Sequence, residues 1–175
     1  MKKRNNISSL FGFLALASGS IWFGAYLARL LTTYNMFKET ELVLKDFLNS
    51  SNLSAVIEIL SPIIYLTLIT YVIMILTFTL FLATTDLKFK QNGWLFITAA
   101  IIYVTLPFES FLLFIDYNMI DLFLKGIFGS DQIVDLLTKR LTKLSSFPII
   151  MILSYLAIPF LMVFKPFTLK QKNED

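Results

Sequence analysis

Apolar positions along the chain fall into four blocks, 7–31, 62–83, 94–115 and 148–164, separated by stretches rich in charge and amide side chains. Blocks of about 20 apolar residues match the length an α-helix needs to cross about 30 Å of hydrocarbon. The fourth block lies near the lower limit of that range, about 17 residues. Two blocks open on proline, Pro62 after Ser61 and Pro148. Proline is tolerated in the first turn of a helix, where its missing N–H has no intrahelical partner to lose. Residues 53–60 therefore read either as a separate interfacial turn or as an earlier start of the same helix, kinked at Pro62. The third block opens at Trp94 behind the turn residues KQNG and closes at Asp116-Tyr117.

Two loops between the blocks carry a periodicity of their own. In 36–49, Val43 with Phe47 and Leu44 with Leu48 stand four residues apart among polar neighbours. In 131–144, Ile133, Val134, Leu137, Leu141 and Leu144 share one helical face, while Asp135 and Lys139 share another. Both patterns predict an amphipathic surface helix. Asp121 and Lys125, like Asp135 and Lys139, are ordered as favourable i,i+4 pairs.

Composition strengthens this reading. Of the 175 residues 57% are hydrophobic and 15% charged, with a mean hydropathy of +0.74. Soluble domains carry about 25% charged residues. The expectation is an all-α integral membrane protein, a single four-helix domain over 1–175 with the lipid bilayer as its principal partner. A signal peptide cleaved after Ala15-Leu16-Ala17 is the competing reading of the first block, but apolar sequence continues well beyond that point. The net charge of +3 could suggest nucleic acid. The basic residues form no stripe and fit no recognition motif, so no nucleic-acid partner is expected. Their distribution bears on threading instead. With four spans, eight lysines and arginines fall on the side of the termini and the 84–93 loop, against six spread over the two longer loops. By the positive-inside rule both termini face the cytoplasm, placing the chain as a multi-pass protein of the plasma (inner) membrane.

Catalytic chemistry is thinly represented. The chain has no histidine and no cysteine, which removes the commonest metal ligand, the usual physiological-pH acid–base group and all thiolate chemistry. No H-E-x-x-H, P-loop, dinucleotide-binding glycine pattern or G-x-S-x-G turn occurs. No enzyme activity, cofactor or metal site is expected.

Two features remain as candidates. Ser20, Gly24 and Ala28 stand at four-residue intervals in the first block, with Gly12 on the same row, a small-residue face that lets helix backbones approach closely. The expected use of this face is packing within the bundle, with contact to another subunit as the alternative. The other candidate is the set of ionisable residues in or beside the blocks: Arg29, Glu58 and Glu109. Glu109 stands roughly 22 Å along its helix from Trp94 at 1.5 Å per residue, deep enough to need a partner. The expected ion pair is Arg29 with Glu109; Glu58, near a helix start, is a further candidate member, and Pro107 is the kink that re-aims the last turns of the third span. The expected function is a non-enzymatic accessory or assembly subunit of a larger membrane complex, or a homo-oligomer. The alternative is a minimal transporter or channel-like module using Arg29 and Glu109.

Overall fold

A computed structural model describes residues 6–38, 43–49, 52–126, 131–144 and 146–169. The described residues form five α-helices: α1 (Asn6–Asn35), α2 (Leu53–Thr84), α3 (Gly93–Leu124), α4 (Asp131–Thr142) and α5 (Phe147–Phe164). All but α4 are long and apolar enough to cross a membrane. Only 28–39% of the residues in their most apolar windows are buried inside the protein, so the outward faces are apolar as well. A helix that is hydrophobic all round needs an apolar environment on every side.

The four long helices alternate in direction. Gly12 lies against Phe81, Gly19 against Met74 and Trp22 against Tyr71, a constant antiparallel register between α1 and α2. Tyr103 of α3 bonds Thr79 of α2 at 2.8 Å, and Thr105 bonds Tyr155 of α5 at 3.3 Å. One end of the bundle therefore collects the start of α1, the α2–α3 loop and the end of α5. At this terminal end the residues after α5 are tied to that loop by Gly93 N–H to Phe167 O (3.1 Å) and Leu169 N–H to Gln91 O (3.0 Å). Any Cβ at Gly93 would sit 2.7 Å from Phe167 Cβ, so glycine is what permits this closure.

The other end is closed by α4. Ile133, Leu137 and Leu141 are buried in a second core with Met36, Ile57 and Met119, while Asp135 and Lys139 face outward and pair at 2.6 Å. The expected face is present, except that Leu144 is exposed: the helix ends at Thr142 and Leu144 has turned to a positive φ. The other expected surface helix does not form. Residues 39–42 lie outside the described residues, and the remainder of 36–49 contains an antiparallel bridge between Phe37 and Leu44, with Lys38 N–H to Val43 O at 2.8 Å. Met36, Phe37 and Leu48 are buried, whereas Val43 and Phe47 are exposed. The four-residue spacing had a second solution in which the chain folds back and inserts its first and last apolar residues into the core.

Block boundaries shift outward for a related reason. α2 is helical from Leu53 through Pro62, and α3 runs through Pro107 to Leu124. Each of these extensions packs against α4 or its core through Leu53, Ile57, Met119 and Ile120, so tertiary burial holds helix beyond the apolar block. Threonine hydroxyls within the long helices bond back to carbonyls four residues earlier, among them Thr67, Thr70, Thr77 and Thr98.

Candidate functional site

On α1 the buried positions include Ser18, Trp22, Ala25, Arg29 and Thr33, one helical stripe. On α3 the matching stripe runs Leu95, Thr98, Ile102, Thr105, Glu109, Leu112, Asp116 and Met119, alternating in steps of three and four. Two carboxylates thus stand two turns apart on the face of α3 that points into the protein. On α4 the apolar face of Ile133, Leu137 and Leu141 also includes Arg140, seven residues after Ile133. These stripes meet, and the charges they carry meet with them.

Four ionisable side chains converge where α1, α3 and α4 join. Glu109 and Asp116 have no exposure, and Arg29 and Arg140 have 4% and 8%. Arg29 holds Asp116 with both terminal nitrogens, one to each carboxylate oxygen. Arg140 spans the two carboxylates, with Nη2 3.3 Å from Glu109 Oε1 and Nε 3.4 Å from Asp116 Oδ1. Two cations balance two anions. The bidentate geometry fixes orientation as well as charge.

The direct pair expected between Arg29 and Glu109 is not formed; Arg29 takes Asp116, and Glu109 takes Arg140. The reason lies in helix register. Carried across the bundle by the contacts of Trp22 with Tyr71 and of Thr79 with Tyr103, that register sets Arg29 about level with Asn118 of α3. Glu109 then lies nine residues deeper, about 13 Å at 1.5 Å per residue. Asp116 lies within the reach of an arginine whose side chain leans toward the start of its helix. Glu58 takes no part, being exposed near the start of α2. Pro107 precedes Glu109 within an unbroken α3, and no cluster contact involves it. Asp116 and Arg140 are the participants that sequence patterning left out. Asp116 closes the third apolar block and Arg140 falls in neither face named for 131–144, although each stands seven residues from a recognised inward position.

Below the charges lies an aromatic layer. Trp22 packs on Tyr155, Tyr71 and Tyr26 with ring centroids 4.6, 5.2 and 5.3 Å apart. Several buried polar atoms around this layer make no hydrogen bond among the described residues: Trp22 Nε1, Tyr26 Oη, Thr33 Oγ1 and Glu109 Oε2. Between the layer and α4 is a cavity of ≈ 20 Å³ lined by Tyr26, Arg29, Leu30, Thr33, Arg140 and Leu141. That is room for one water-sized molecule with polar partners on several sides.

The small-residue row divides between two roles. Gly12 faces Phe81, and an added Cβ would stand 3.1 Å from its ring, so Gly12 serves packing within the bundle. Ser20, Gly24 and Ala28 are exposed, and a Cβ on Gly24 would meet nothing within 4 Å. The internal packing role expected of the whole row is thus filled by Gly12, and also by Gly19, which lies 3.1 Å from Met74 Sδ by the same measure.

No family model, curated protein or solved structure matches the chain. Its function is therefore argued from this geometry.

Proposed function

We propose that the chain is a non-enzymatic integral membrane subunit that associates side by side with another membrane protein or with its own copies. The observation that carries this reading is the outward row of Ser20, Gly24 and Ala28. It is a close-approach surface that the bundle itself leaves uncovered. Between helices in lipid, where apolar burial supplies little preference, close backbone approach is a main source of attachment. The mutual neutralisation of the four buried charges agrees with this reading, since they are engaged in joining α1, α3 and α4.

The experiment is purification of the tagged chain in mild detergent, followed by mass determination of the intact particle. A stoichiometric partner or a defined oligomer is expected, lost in Gly24→Leu while the monomer keeps its thermal stability. A particle that is monomeric and partner-free in both proteins would sink the proposal.

The proposed threading places the terminal end in the cytoplasm, from the excess of lysine and arginine there. The chain's natural lack of cysteine makes this simple to test. An impermeant thiol reagent applied to intact cells is expected to label Lys45→Cys and Asp131→Cys and to spare Lys90→Cys. Labelling of position 90 from outside would reverse the orientation.

A second reading, a minimal transporter, draws on Glu109 Oε2, which makes no hydrogen bond among the described residues, and on Tyr26 Oη, likewise unbonded, at the small cavity that Tyr26 and Arg140 line. Ion flux into liposomes holding only this chain, abolished by Glu109→Gln, is its required result.

A further inference from the structure

The terminal half of the bundle contains a second, far larger space. A groove of ≈ 880 Å³ opens between α1 and α5 and reaches inward to α2 and α3. Along α1 it extends from Ser8 to Phe23, about 22 Å at 1.5 Å per residue. Its volume falls within the range of ligand pockets, about 300–1,000 Å³. The lining is apolar over most of its length, and Tyr155 closes the deep end against Trp22.

Two observations define what fits. The floor is made by residues that are themselves buried, with Leu95, Thr98 and Ile102 at 1–3% exposure. The inner part is therefore narrow, closed to a helix of about 10–12 Å diameter, while the ≈ 880 Å³ of the whole groove gives room for a hydrocarbon chain. The mouth, by contrast, is charged. Lys165 and Asp86 both line it, both are exposed, and neither makes an ion pair among the described residues. Lys165 Nζ stands 5.9 Å from the centre of the Trp94 ring, which holds the cation at the rim. An apolar slot with one positive and one negative group at its entrance is complementary to an amphiphile whose head carries both signs.

We infer that this groove binds one phospholipid from the leaflet at the terminal end, with an acyl chain between α1 and α5. The headgroup combines a phosphate, which meets Lys165, with a primary ammonium, which meets Asp86. A phosphate accepts charge-assisted hydrogen bonds from the lysine, and a primary ammonium, unlike a quaternary one, donates them to the carboxylate. The inference rests on the membrane reading but not on a partner subunit, since of the Ser20–Gly24–Ala28 row only Ser20 lines the groove.

The test is native mass spectrometry of the full chain, delipidated in detergent and then offered equal amounts of dioleoyl phosphatidylethanolamine, phosphatidylglycerol and phosphatidylcholine. One phosphatidylethanolamine per chain is expected, retained about tenfold better than either competitor. The double variant Lys165→Gln with Asp86→Asn should lose that preference without loss of thermal stability, because both side chains are exposed. Leu16→Trp on the α1 wall and, independently, Ile158→Trp on the α5 wall should abolish retention of all three lipids. Equal retention of the three by the wild-type chain would overturn the headgroup assignment. Retention unchanged in a folded wall variant would overturn the groove as the site, as would crosslinking of a protein partner from Leu16 in place of lipid. Carbonate extraction run in parallel separates the two levels. Release of the chain from membranes breaks the membrane reading, whereas a chain that stays inserted but carries no lipid breaks only this inference.

Discussion

The two halves of this bundle solve the burial of their interior in opposite ways. At the α4 end the interior holds two arginines, an aspartate and a glutamate, and it is closed over by Ile133, Leu137 and Leu141. At the terminal end the interior is apolar and left open as a groove. A charge left without any partner in an apolar interior costs several kcal/mol or more, and each of the four is paired, although Glu109 Oε2 and Arg140 Nε make no hydrogen bond among the described residues. The charged half therefore has to be tightly built, with three helices brought to fixed positions. A mostly apolar half has no such requirement, since among the described residues it holds no buried charge that needs a partner. The buried charges sit where the helices close, and the groove opens where the lining is mostly apolar.

The sharpest way to break this comparison is to strand a charge at the α4 end. Asp116→Leu leaves Arg29 without its bidentate acceptor and should cost about 3–5 kcal/mol of stability, as breaking one partner of a buried pair does. Adding Arg29→Met should restore most of that loss, since neither residue is then buried alone. Thermal unfolding in detergent of the two single variants and the double variant measures the coupling. In the parallel cycle of Arg29→Met with Glu109→Gln, coupling should be clearly smaller, because no direct contact joins those two residues. Equal coupling in the two cycles would mean that the cluster is not organised as described.

A smaller effect should follow from loosening the cover rather than the charges. Leu137→Ala removes a fully buried side chain from the α4 face and should cost about 2–5 kcal/mol, toward the low end if α4 settles into the gap. Spin labels report the same contrast without perturbing the cluster. Labels replacing Asp135, Lys139 or Thr142 should be water-accessible, and a label replacing Ile133 should not. Uniform accessibility along α4 would mean that this end is not closed.

The smallest effects are expected from the glycines of α1, and they should differ in sign. Gly12→Val forces branched methyls toward the Phe81 ring and should cost about 1–3 kcal/mol, the usual penalty for overpacking. Gly24→Ala meets open space and gains helix propensity, so it should stabilise the isolated chain by up to about 1 kcal/mol. Melting temperatures in detergent decide the signs. Losses of similar size at both positions would place Gly24 inside a contact that the isolated chain already makes.

Much of the architecture was legible in the order of residues alone. Four apolar blocks of near-membrane length announce four long helices, and the i,i+4 pattern of 131–144 announces α4, because both signals depend only on local periodicity and composition. The 36–49 loop departs from its pattern because a four-residue apolar spacing is shared by one turn of helix and by a chain that folds back on itself. Only the pocket formed by α2, α3 and α4 selects the second, by burying Met36, Phe37 and Leu48. The charge cluster was half legible. Arg29 and Glu109 stood out as ionisable groups in apolar surroundings, but the pairing of each was decided elsewhere. Register between helices is set by side-chain packing over the whole length of their contact, and a shift of two turns changes which carboxylate an arginine meets. That shift, and the inward turn of α4 that carries Arg140 to Glu109, exist only once the helices are assembled. The sequence by itself therefore determined which helices form and which faces are apolar, since these are properties of neighbouring residues. The tertiary structure decided which charges neutralise one another and where a groove remains, since those depend on distances between segments far apart in the chain.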